Sequence, residues 1–463
     1  MTNFWDSNVW GSFMVVAVLL ISLLVANAMK RRIPFLGASL IPTSVLGGLI
    51  LLVISGIYKL STGKLLFDSE FFGGNGMDTM EIITYHALAL GFIASTFKAS
   101  KGKLSKKRTG EIFDTGVTTV STYLLQAVFG LTVTLIAAKL AKDLFAVAGI
   151  ILPFGYGQGP GQAMNYGNIY EAEHGFAGGK SFGLTIAAMG FLSASLGGVV
   201  HLNILKRKGK ITTIGAAEKE EGALRSEDVQ FDGEIPMQGS MDKLTVQIAV
   251  VASAYVLTYI LMYLLGLLLP GMRSTIYGFN FLLGVLSATL IKAIMSFLRK
   301  TKIVRRQYVN DFLMTRVSNF CFDIMVVASI AAIRLGIFQK YWGVITILSV
   351  GGLLLTYFYN HYIAKKLFPA YEDEQFLTMY GMLTGTASTG IILLREIDGD
   401  FKTPAADNMV YQNFPAIAFG FPLMLLATLA PVKPMLTYII LWGFFLVMNA
   451  ILFRRQIFCR KKK

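Results

Sequence analysis

Residues 154–167, FGYGQGPGQAMNYG, combine five glycines with a proline in a chain that is otherwise rich in apolar residues. A helix is not expected to continue through such a cluster, so some backbone N–H and C=O groups would lack helical partners. Freed carbonyl groups suit a hard cation such as Na⁺, which prefers oxygen ligands. The N–H groups of the helix that follows favour a carboxylate. The stretch therefore predicts a site for a cation and an anion, built largely from backbone.

A second stretch of small and hydroxylated residues, YGMLTGTASTG, lies at residues 380–390. Irregular backbone at membrane depth is tolerated only where protein buries it or where it lines a cavity. Two interrupted segments in corresponding positions of two halves indicate the binding site of a transporter. Taken alone, each stretch is equally explained as a loop, or as glycines that let helices pack closely.

The two stretches supply most of the candidate binding residues. The candidate substrate-binding residues, which offer backbone, amide or hydroxyl groups, are Gly157, Gln158, Gly159, Gly161, Gln162, Asn165, Thr384, Thr386, Ser388 and Thr389. The candidate Na⁺ ligands are Gly155, Tyr156, Gly385 and Asp323. Asp323 lies within a predicted span, where a carboxylate is a functional hypothesis by default. The alternative is that water or a basic loop near the helix end solvates Asp323.

The composition is that of a membrane protein with many spans. Hydrophobic residues make up 54% of the 463 residues, and charged residues only 15%. The net charge of +15 is concentrated in short segments beside apolar runs, which is typical of cytoplasmic loops rather than of nucleic-acid binding. Cys321 and Cys459 are too far apart in sequence to indicate a disulfide framework or a cysteine metal site. We expect no cofactor beyond Na⁺ as a coupling ion.

Hydropathy and charge predict eleven spans and two re-entrant hairpins. The spans are predicted at residues 9–29, 36–58, 82–97, 116–138, 181–205, 244–269, 277–298, 319–338, 342–362, 409–430 and 435–453. If residues 144–176 crossed fully, the next span would end outside, yet it ends in Lys206, Arg207 and Lys208. A hairpin that enters from outside at 144–176 resolves this conflict. By the same argument, a hairpin at 376–402 enters from inside.

The predicted fold is an all-α polytopic membrane protein with two inverted repeats and an extra C-terminal helix. Each repeat has five transmembrane helices and one re-entrant hairpin. The repeats are predicted at residues 1–205 and 243–431, with a cytoplasmic linker at 206–242 and a final helix with a basic tail at 432–463. The N-terminus is expected outside and the C-terminus in the cytoplasm.

Several patches resemble the bacterial sodium/glutamate symporter family. Residues 149–176, GIILPFGYGQGPGQAMNYGNIYEAEHGF, are similar to that family's GS-x-x-x-x-GGHGTGAAW hairpin and the helix after it, and residues 371–391 are similar to its second hairpin. Pro42 with the Gly47–Gly48 pair resembles an early PEPVAGG helix, and SNFCF at 318–322 resembles a G-N-V-C segment. The chain departs from the family's His-Gly-Thr-Gly, where it has Gln158, Gly159, Pro160 and Gly161.

The resemblance implies a secondary active transporter for Na⁺-coupled symport of glutamate or a related small carboxylate. It further implies a bacterial plasma-membrane homodimer with elevator-type alternating access, in which the hairpins and the spans after them move against a scaffold. We expect that scaffold to comprise the first two spans of each half. A cation/H⁺ antiporter, a hydroxycarboxylate carrier of the same plan and a passive channel remain alternatives. An intramembrane enzyme is less expected, because no H-E-x-x-H motif occurs.

Overall fold

The computed structural model describes residues 3–98, 106–140, 143–211, 234–237, 240–399 and 401–458. Most of the predicted linker, residues 101–105 with Lys101 and Lys103, and Cys459 lie outside these ranges. Within them the structure is helical, apart from short turns and an isolated bridge between Glu234 and Gln307. The helices are α1 (Ser7–Arg32), α2 (Pro34–Ala38), α3 (Thr43–Thr62), α4 (Gly76–Phe97), α5 (Lys106–Leu140), α6 (Pro160–His174), α7 (Gly179–Arg207), α8 (Lys243–Leu268), α9 (Arg273–Gly278), α10 (Asn280–Lys300), α11 (Asp311–Ala331), α12 (Leu335–Leu367), α13 (Glu372–Thr384), α14 (Ala387–Arg395), α15 (Ala405–Tyr411), α16 (Asn413–Leu429), α17 (Pro434–Leu452) and α18 (Arg454–Phe458).

Many of these helices are long and apolar enough to cross a membrane. The described residues contain 10 such helices, or up to 11 if the bent pair α15 and α16 counts as one span. The axes of that pair differ by 51°. The chain is therefore an all-helical, multi-pass membrane protein, as its composition predicts.

The helix that carries Asp323 begins and ends earlier than the predicted span. It runs over Asp311–Ala331, whereas the apolar run predicts residues 319–338. Charged residues such as Asp311 and Arg316 lower the hydropathy of the first turns, but they do not prevent helix formation. Asp323 consequently lies near the middle of α11 rather than near its end.

The chain forms two compact units. Unit 1 contains the start of α1 as far as Leu20, α4, and α8 to α11 as far as Ser329. Unit 2 contains the rest of α1, α2, α3, α5 to α7, and α12 to α18. This division differs from the predicted scaffold, because α3 belongs to unit 2, whereas α4 and α11 belong to unit 1. Both glycine-rich stretches lie in unit 2.

Unit 1 is held by an apolar cluster and by backbone-directed hydrogen bonds. The cluster comprises Ile93, Ala94, Phe97, Val251, Ala254, Ala288 and Met314, which come from α4, α8, α10 and α11. The Ser318 hydroxyl donates to the Gly91 carbonyl over 3.0 Å, and the Asn280 amide donates to the Tyr85 carbonyl, also over 3.0 Å. A carbonyl inside a helix accepts such a bond with its second lone pair, so these contacts tie α11 and α10 to α4.

Unit 2 packs around a line of glycines on α7. Gly183, Gly190 and Gly197 follow one another at seven-residue intervals and therefore lie on one face of the helix. A Cβ atom added at these positions would lie 2.3 Å from the Ala163 carbonyl oxygen, 2.5 Å from the Thr384 carbonyl oxygen and 2.1 Å from the Tyr380 hydroxyl, respectively. Glycine is thus required for this close approach. Along this face α7 contacts first α6 and then α13.

Candidate functional site

The first glycine-rich stretch is a break between irregular and regular helix. A 3₁₀ turn at Ala148–Ile151 and a π-helical turn at Phe154–Gln158 lead to Gly159, after which α6 begins at Pro160. Gly159 has φ 91° and ψ 175°, a conformation essentially confined to glycine. Pro160 fits the first helical position, where an N–H group would have no helical partner. Sequence and backbone geometry therefore agree that the helix stops here and restarts.

The second stretch is a break between two regular helices. Helix α13 ends at Thr384, and α14 begins at Ala387 after an extended Thr386 with φ −142° and ψ 172°. The Gly385 N–H donates to the Gly381 carbonyl over 3.0 Å, which closes the last turn of α13. The hydroxyl oxygens of Thr386 and Thr389 lie 3.4 Å apart. The break therefore presents two neighbouring hydroxyl groups.

The two breaks meet inside unit 2. A Cβ atom added at Gly159 would lie 3.8 Å from Cγ2 of Thr386, which is ordinary van der Waals contact. On α7, a Cβ atom added at Gly190 would lie 2.5 Å from the Thr384 carbonyl oxygen and 3.1 Å from the Tyr156 ring. The tips of two segments that are more than 200 residues apart in sequence thus share one location, and this location is the candidate site.

One turn of α5 holds the backbone of both breaks. The Tyr123 hydroxyl donates to the Gly157 carbonyl over 2.9 Å, and the Gln126 amide donates to the Leu383 carbonyl over 3.0 Å. The Gln126 amide also donates to the Thr356 hydroxyl of α12, over 2.8 Å. Neither Tyr123 nor Gln126 is among the residues predicted from sequence. The signal that could have indicated Gln126 is a polar stripe on α5, Thr115, Thr119, Thr122 and Gln126, spaced by three or four residues; no such signal marks Tyr123.

Two of the candidate Na⁺ ligands have clear packing roles. The Tyr156 hydroxyl donates to the Ser349 carbonyl over 2.8 Å and lies 2.9 Å from the Ser193 hydroxyl, so it joins α12 to α7. A Cβ atom added at Gly155 would lie 2.8 Å from Ile186 Cγ2 and 3.0 Å from the Ala187 nitrogen. Only the backbone carbonyl of each residue therefore remains available to a cation.

The amide side chains of the first break leave buried polar atoms without partners. The Asn165 amide donates to Gln162 Oε1 over 3.2 Å. Nε2 of Gln162, a residue only 1% exposed, and Oε1 of Gln158 find no hydrogen-bond partner among the described residues. An unpaired buried polar atom costs about 1 to 3 kcal/mol. A bound solute with both donor and acceptor groups would remove this cost.

The remaining candidates of the second break differ in exposure. Thr384 and Thr389 are fully buried, whereas Ser388 is exposed. The Thr384 hydroxyl donates to the Tyr380 carbonyl of its own helix over 2.6 Å, so only its lone pairs remain for a ligand. Gly161 and Gly385 are buried beside the breaks.

Asp323 is set apart from the other candidates. It belongs to unit 1, whereas every other candidate residue belongs to unit 2. Its side chain is exposed near the middle of a helix that is long and apolar enough to span a membrane. A carboxylate at such a position faces a polar cavity or a partner in most membrane proteins.

An ion pair anchors the start of α13, away from the break. The Asp373 carboxylate forms a salt bridge with Lys210, and its other oxygen lies 3.4 Å from Nε2 of the buried His201. The contact with His201, followed by that with Lys210, lowers the pKa of the Asp373 carboxyl group to about 2. The segment after α7 is thereby tied to the second broken segment.

A serine pattern that sequence reasoning passed over lies at the start of α7. Residues 179–183, GKSFG, match the G-x-S-x-G pattern of serine hydrolases. In those enzymes the serine sits on a turn between a strand and a helix, whereas Ser181 lies within the first turn of α7. Its hydroxyl accepts a hydrogen bond from the Arg334 N–H over 2.9 Å. The pattern is therefore a local packing motif here.

Comparisons of the chain with protein-family models, with curated proteins and with solved structures found no match.

Proposed function

We propose that the chain is a secondary active transporter that couples Na⁺ to the movement of glutamate or a related small carboxylate. The observation that carries the proposal is the meeting of two broken helices, at Gly159 and Thr386, within a multi-pass membrane protein. Discontinuous helices that meet in this way are the usual construction of a transporter's substrate and ion sites. The unpaired amide atoms of Gln158 and Gln162 supply further capacity for a ligand.

The geometry suggests a role for each group at the site. The first N–H groups of α6, which belong to Gly161 and Gln162, favour a substrate carboxylate. The hydroxyl groups of Thr386 and Thr389 approach the same place from the opposite segment. Backbone carbonyls at residues 155–158 and at Gly385 are the proposed Na⁺ ligands, because a carbonyl that already accepts one hydrogen bond keeps a second lone pair.

The inverted repeat is part of the same proposal. The segment that contains each break follows a long helix, α5 with 35 residues or α12 with 33. We propose that the two breaks are the tips of re-entrant hairpins that enter from opposite sides, with the N-terminus outside and the C-terminus in the cytoplasm. Because both breaks lie in unit 2, that unit is the proposed moving part of a homodimeric elevator-type transporter.

Asp323 is proposed to bind or sense the coupling cation, directly or through water. Its position near the middle of α11 and its exposure support this role, because ionisable residues within membrane helices usually mark substrate or ion pathways. The variant Asp323→Asn is expected to weaken the Na⁺ dependence of uptake more than it lowers the amount of folded protein. An equal loss of both would assign Asp323 a structural role.

The test is uptake of labelled glutamate into liposomes that contain the purified protein, with imposed Na⁺ or H⁺ gradients. Gly159→Ala places a side chain where φ is 91° and where the opposite tip is within contact distance. The matched control is Gly175→Ala, which has a similarly positive φ of 70° but no atom within 4 Å of the added Cβ. We expect Gly159→Ala to abolish Na⁺-driven uptake and Gly175→Ala to retain most of it. Thr386→Val, which removes only a hydroxyl, should raise the apparent substrate or Na⁺ constant.

A panel of substrates separates the alternatives. Competition by acidic amino acids, dicarboxylates and hydroxycarboxylates identifies the carboxylate, and comparison of the gradients identifies the coupling ion. Carboxylate uptake driven by H⁺ alone would favour an H⁺ symporter, whereas Na⁺ exchange for H⁺ without carboxylate uptake would favour a cation/H⁺ antiporter. If Gly159→Ala and Thr386→Val both transport normally, the meeting point of the two breaks is not the substrate site.

A further inference from the structure

A fully buried polar seam joins α5 to α12, the two long helices that precede the breaks. It consists of Thr122 and Gln126 on α5 and of Thr356 and Asn360 on α12, each at most 1% exposed. The Asn360 amide nitrogen lies 3.3 Å from the Thr122 hydroxyl, and the Gln126 amide nitrogen lies 2.8 Å from the Thr356 hydroxyl. Side chains of this kind at the centre of a membrane protein require a complete set of hydrogen-bond partners.

The Thr122 hydroxyl and the two amide groups of the seam already donate hydrogen bonds. The Thr122 hydroxyl donates to the Thr118 carbonyl of its own helix over 2.8 Å. The Asn360 amide also donates to the Thr356 carbonyl over 3.0 Å, and the Gln126 amide donates to Thr356 and to the Leu383 carbonyl. Each of these protons is therefore already used in a hydrogen bond within the protein.

The acceptors of the seam are in surplus. Oε1 of Gln126 finds no hydrogen-bond partner among the described residues, although the residue is fully buried. Oδ1 of Asn360 lies 3.5 Å from the Thr122 hydroxyl oxygen, whose proton is directed to its own helix over the shorter distance of 2.8 Å. Oε1 of Gln126 and Oδ1 of Asn360 are therefore buried acceptors with no close donor, and a cation would satisfy both.

We propose that the seam binds a monovalent metal cation, Na⁺, through Oε1 of Gln126, Oδ1 of Asn360 and the hydroxyl oxygen of Thr122. All of the seam's side chains are neutral, and a divalent cation usually requires carboxylate ligands. The site is separate from the cation ligands proposed at the breaks. It deepens the proposed function, on which the choice of Na⁺ rests, by adding a cation site within the same compact unit.

The seam also connects the cation to the second break. The same Gln126 amide that offers Oε1 to the cation donates through its nitrogen to the carbonyl of Leu383, two residues before Gly385. Coordination of Oε1 fixes the orientation of this amide, since the oxygen and nitrogen sit on one planar group. Cation binding thereby stabilises the tip that carries Thr386. This contact would couple cation binding at the seam directly to the second break.

The experiment measures Na⁺ binding by the purified, full-length protein without substrate. Equilibrium binding of ²²Na⁺ and thermal unfolding in NaCl against choline chloride are recorded for the wild type, Thr122→Val, Asn360→Leu and Thr118→Val. Thr118 is the matched control, because it is also buried and its hydroxyl donates to the Asp114 carbonyl over 2.7 Å, one turn before Thr122. Loss of one ligand is expected to raise the apparent Na⁺ constant about tenfold in both seam variants, and Thr118→Val should bind as the wild type does.

The outcomes separate this inference from the proposed function. Na⁺ binding that is unchanged in Thr122→Val and Asn360→Leu overturns the seam site, even if the break variants lose Na⁺-driven uptake. Wild-type protein that binds no Na⁺ also overturns it. If no substrate is transported but ²²Na⁺ binding depends on Thr122, the seam site stands and the transport proposal fails. Failure of both seam variants to fold, with Thr118→Val intact, assigns the surplus acceptors to structural water and contradicts the proposal.

Discussion

The two broken segments meet at one place but are held there differently. The glycines of the first segment pack against other helices. A Cβ atom added at Gly149 would lie 1.9 Å from the Gly130 carbonyl oxygen of α5, and one added at Gly157 would lie 2.0 Å from the Tyr123 ring. The glycines of the second segment face each other across its own two arms. A Cβ atom added at Gly381 would lie 2.8 Å from Cα of Gly390. The glycines of the first segment thus pack against other helices, whereas those of the second pack within the segment, although α13 also contacts α7 and α5.

The difference extends to exposure at the breaks. After the first break every residue from Gly159 to Gly167 is buried, whereas Ala387 and Ser388 are exposed immediately after the second break. Backbone that is close-packed on all sides cannot shift without moving its neighbours, since protein interiors have few voids. The comparison therefore indicates that the first break is the fixed wall of the site and the second is the wall that can adjust. Three experiments test this distinction.

The largest effect is expected for Gly149→Ala in the first segment. The new methyl group would overlap the Gly130 carbonyl oxygen, and backbone of two helices must separate to admit it. We expect a loss of about 3 kcal/mol or failure of the protein to accumulate. Gly443→Ala in α17 is the control, because no atom lies within 4 Å of the added Cβ. The measurement is thermal unfolding of both purified variants, and a Gly149→Ala protein as stable as the control would remove the fixed-wall interpretation.

An intermediate effect is expected for Tyr123→Phe, which releases the first break from α5. The substitution removes the hydroxyl that donates to the Gly157 carbonyl, but it keeps the ring that contacts Gly157. The expected loss of stability is about 1 kcal/mol, the typical net contribution of one hydrogen bond. If the first break is a fixed wall, uptake should persist with a raised apparent Na⁺ or substrate constant. Complete loss of uptake in a stable Tyr123→Phe protein would show that the hydroxyl itself takes part in binding.

The smallest effect is expected at the start of the second segment, through Asp373. Its carboxyl pKa of about 2 lies below the value of about 3.9 for an unfolded chain, so its contribution to stability is present above pH 4. That contribution is lost as the pH falls from about 4 towards 2. Because Lys210 is half exposed, the contribution should stay below about 1 kcal/mol.

The check on Asp373 is a pair of unfolding curves at pH 6 and pH 3. The difference in stability between the wild type and Asp373→Asn should shrink at the lower pH, while uptake at pH 7 should change little. A difference that is constant with pH would mean that the ion pair does not anchor this segment.

The positions of the helices follow from local sequence more readily than the site does. Apolar runs locate the membrane helices because each run is long, as in α17, where residues 435–453 are predicted and Pro434–Leu452 is found. The boundaries of α11 are displaced because hydropathy does not register a helix that continues into charged residues. The glycines and Pro160 likewise indicate a helix break that is found at Gly159.

The partners of the breaks could not be derived from their own sequence. Gly155 and Tyr156 look like candidate ligands from their place in the motif, but their packing against α7 and α12 depends on helices far away in the chain. Tyr123 and Gln126 are equally hidden, since only the folded chain brings them to the Gly157 and Leu383 carbonyls. Local preferences determine where a helix stops. Long-range packing determines which partners the unpaired backbone groups at the break contact.

The backbone of Gly159 has a consequence for the evolution of this chain. Any substitution of a glycine introduces a side chain, and at φ 91° and ψ 175° essentially no other residue is accommodated. Selection should therefore remove almost every variant at this position. Gly443, which has open space around it, should drift freely among alanine, serine and larger residues. When homologous chains are compared, glycine at position 159 should be more conserved than the amide and hydroxyl residues around it.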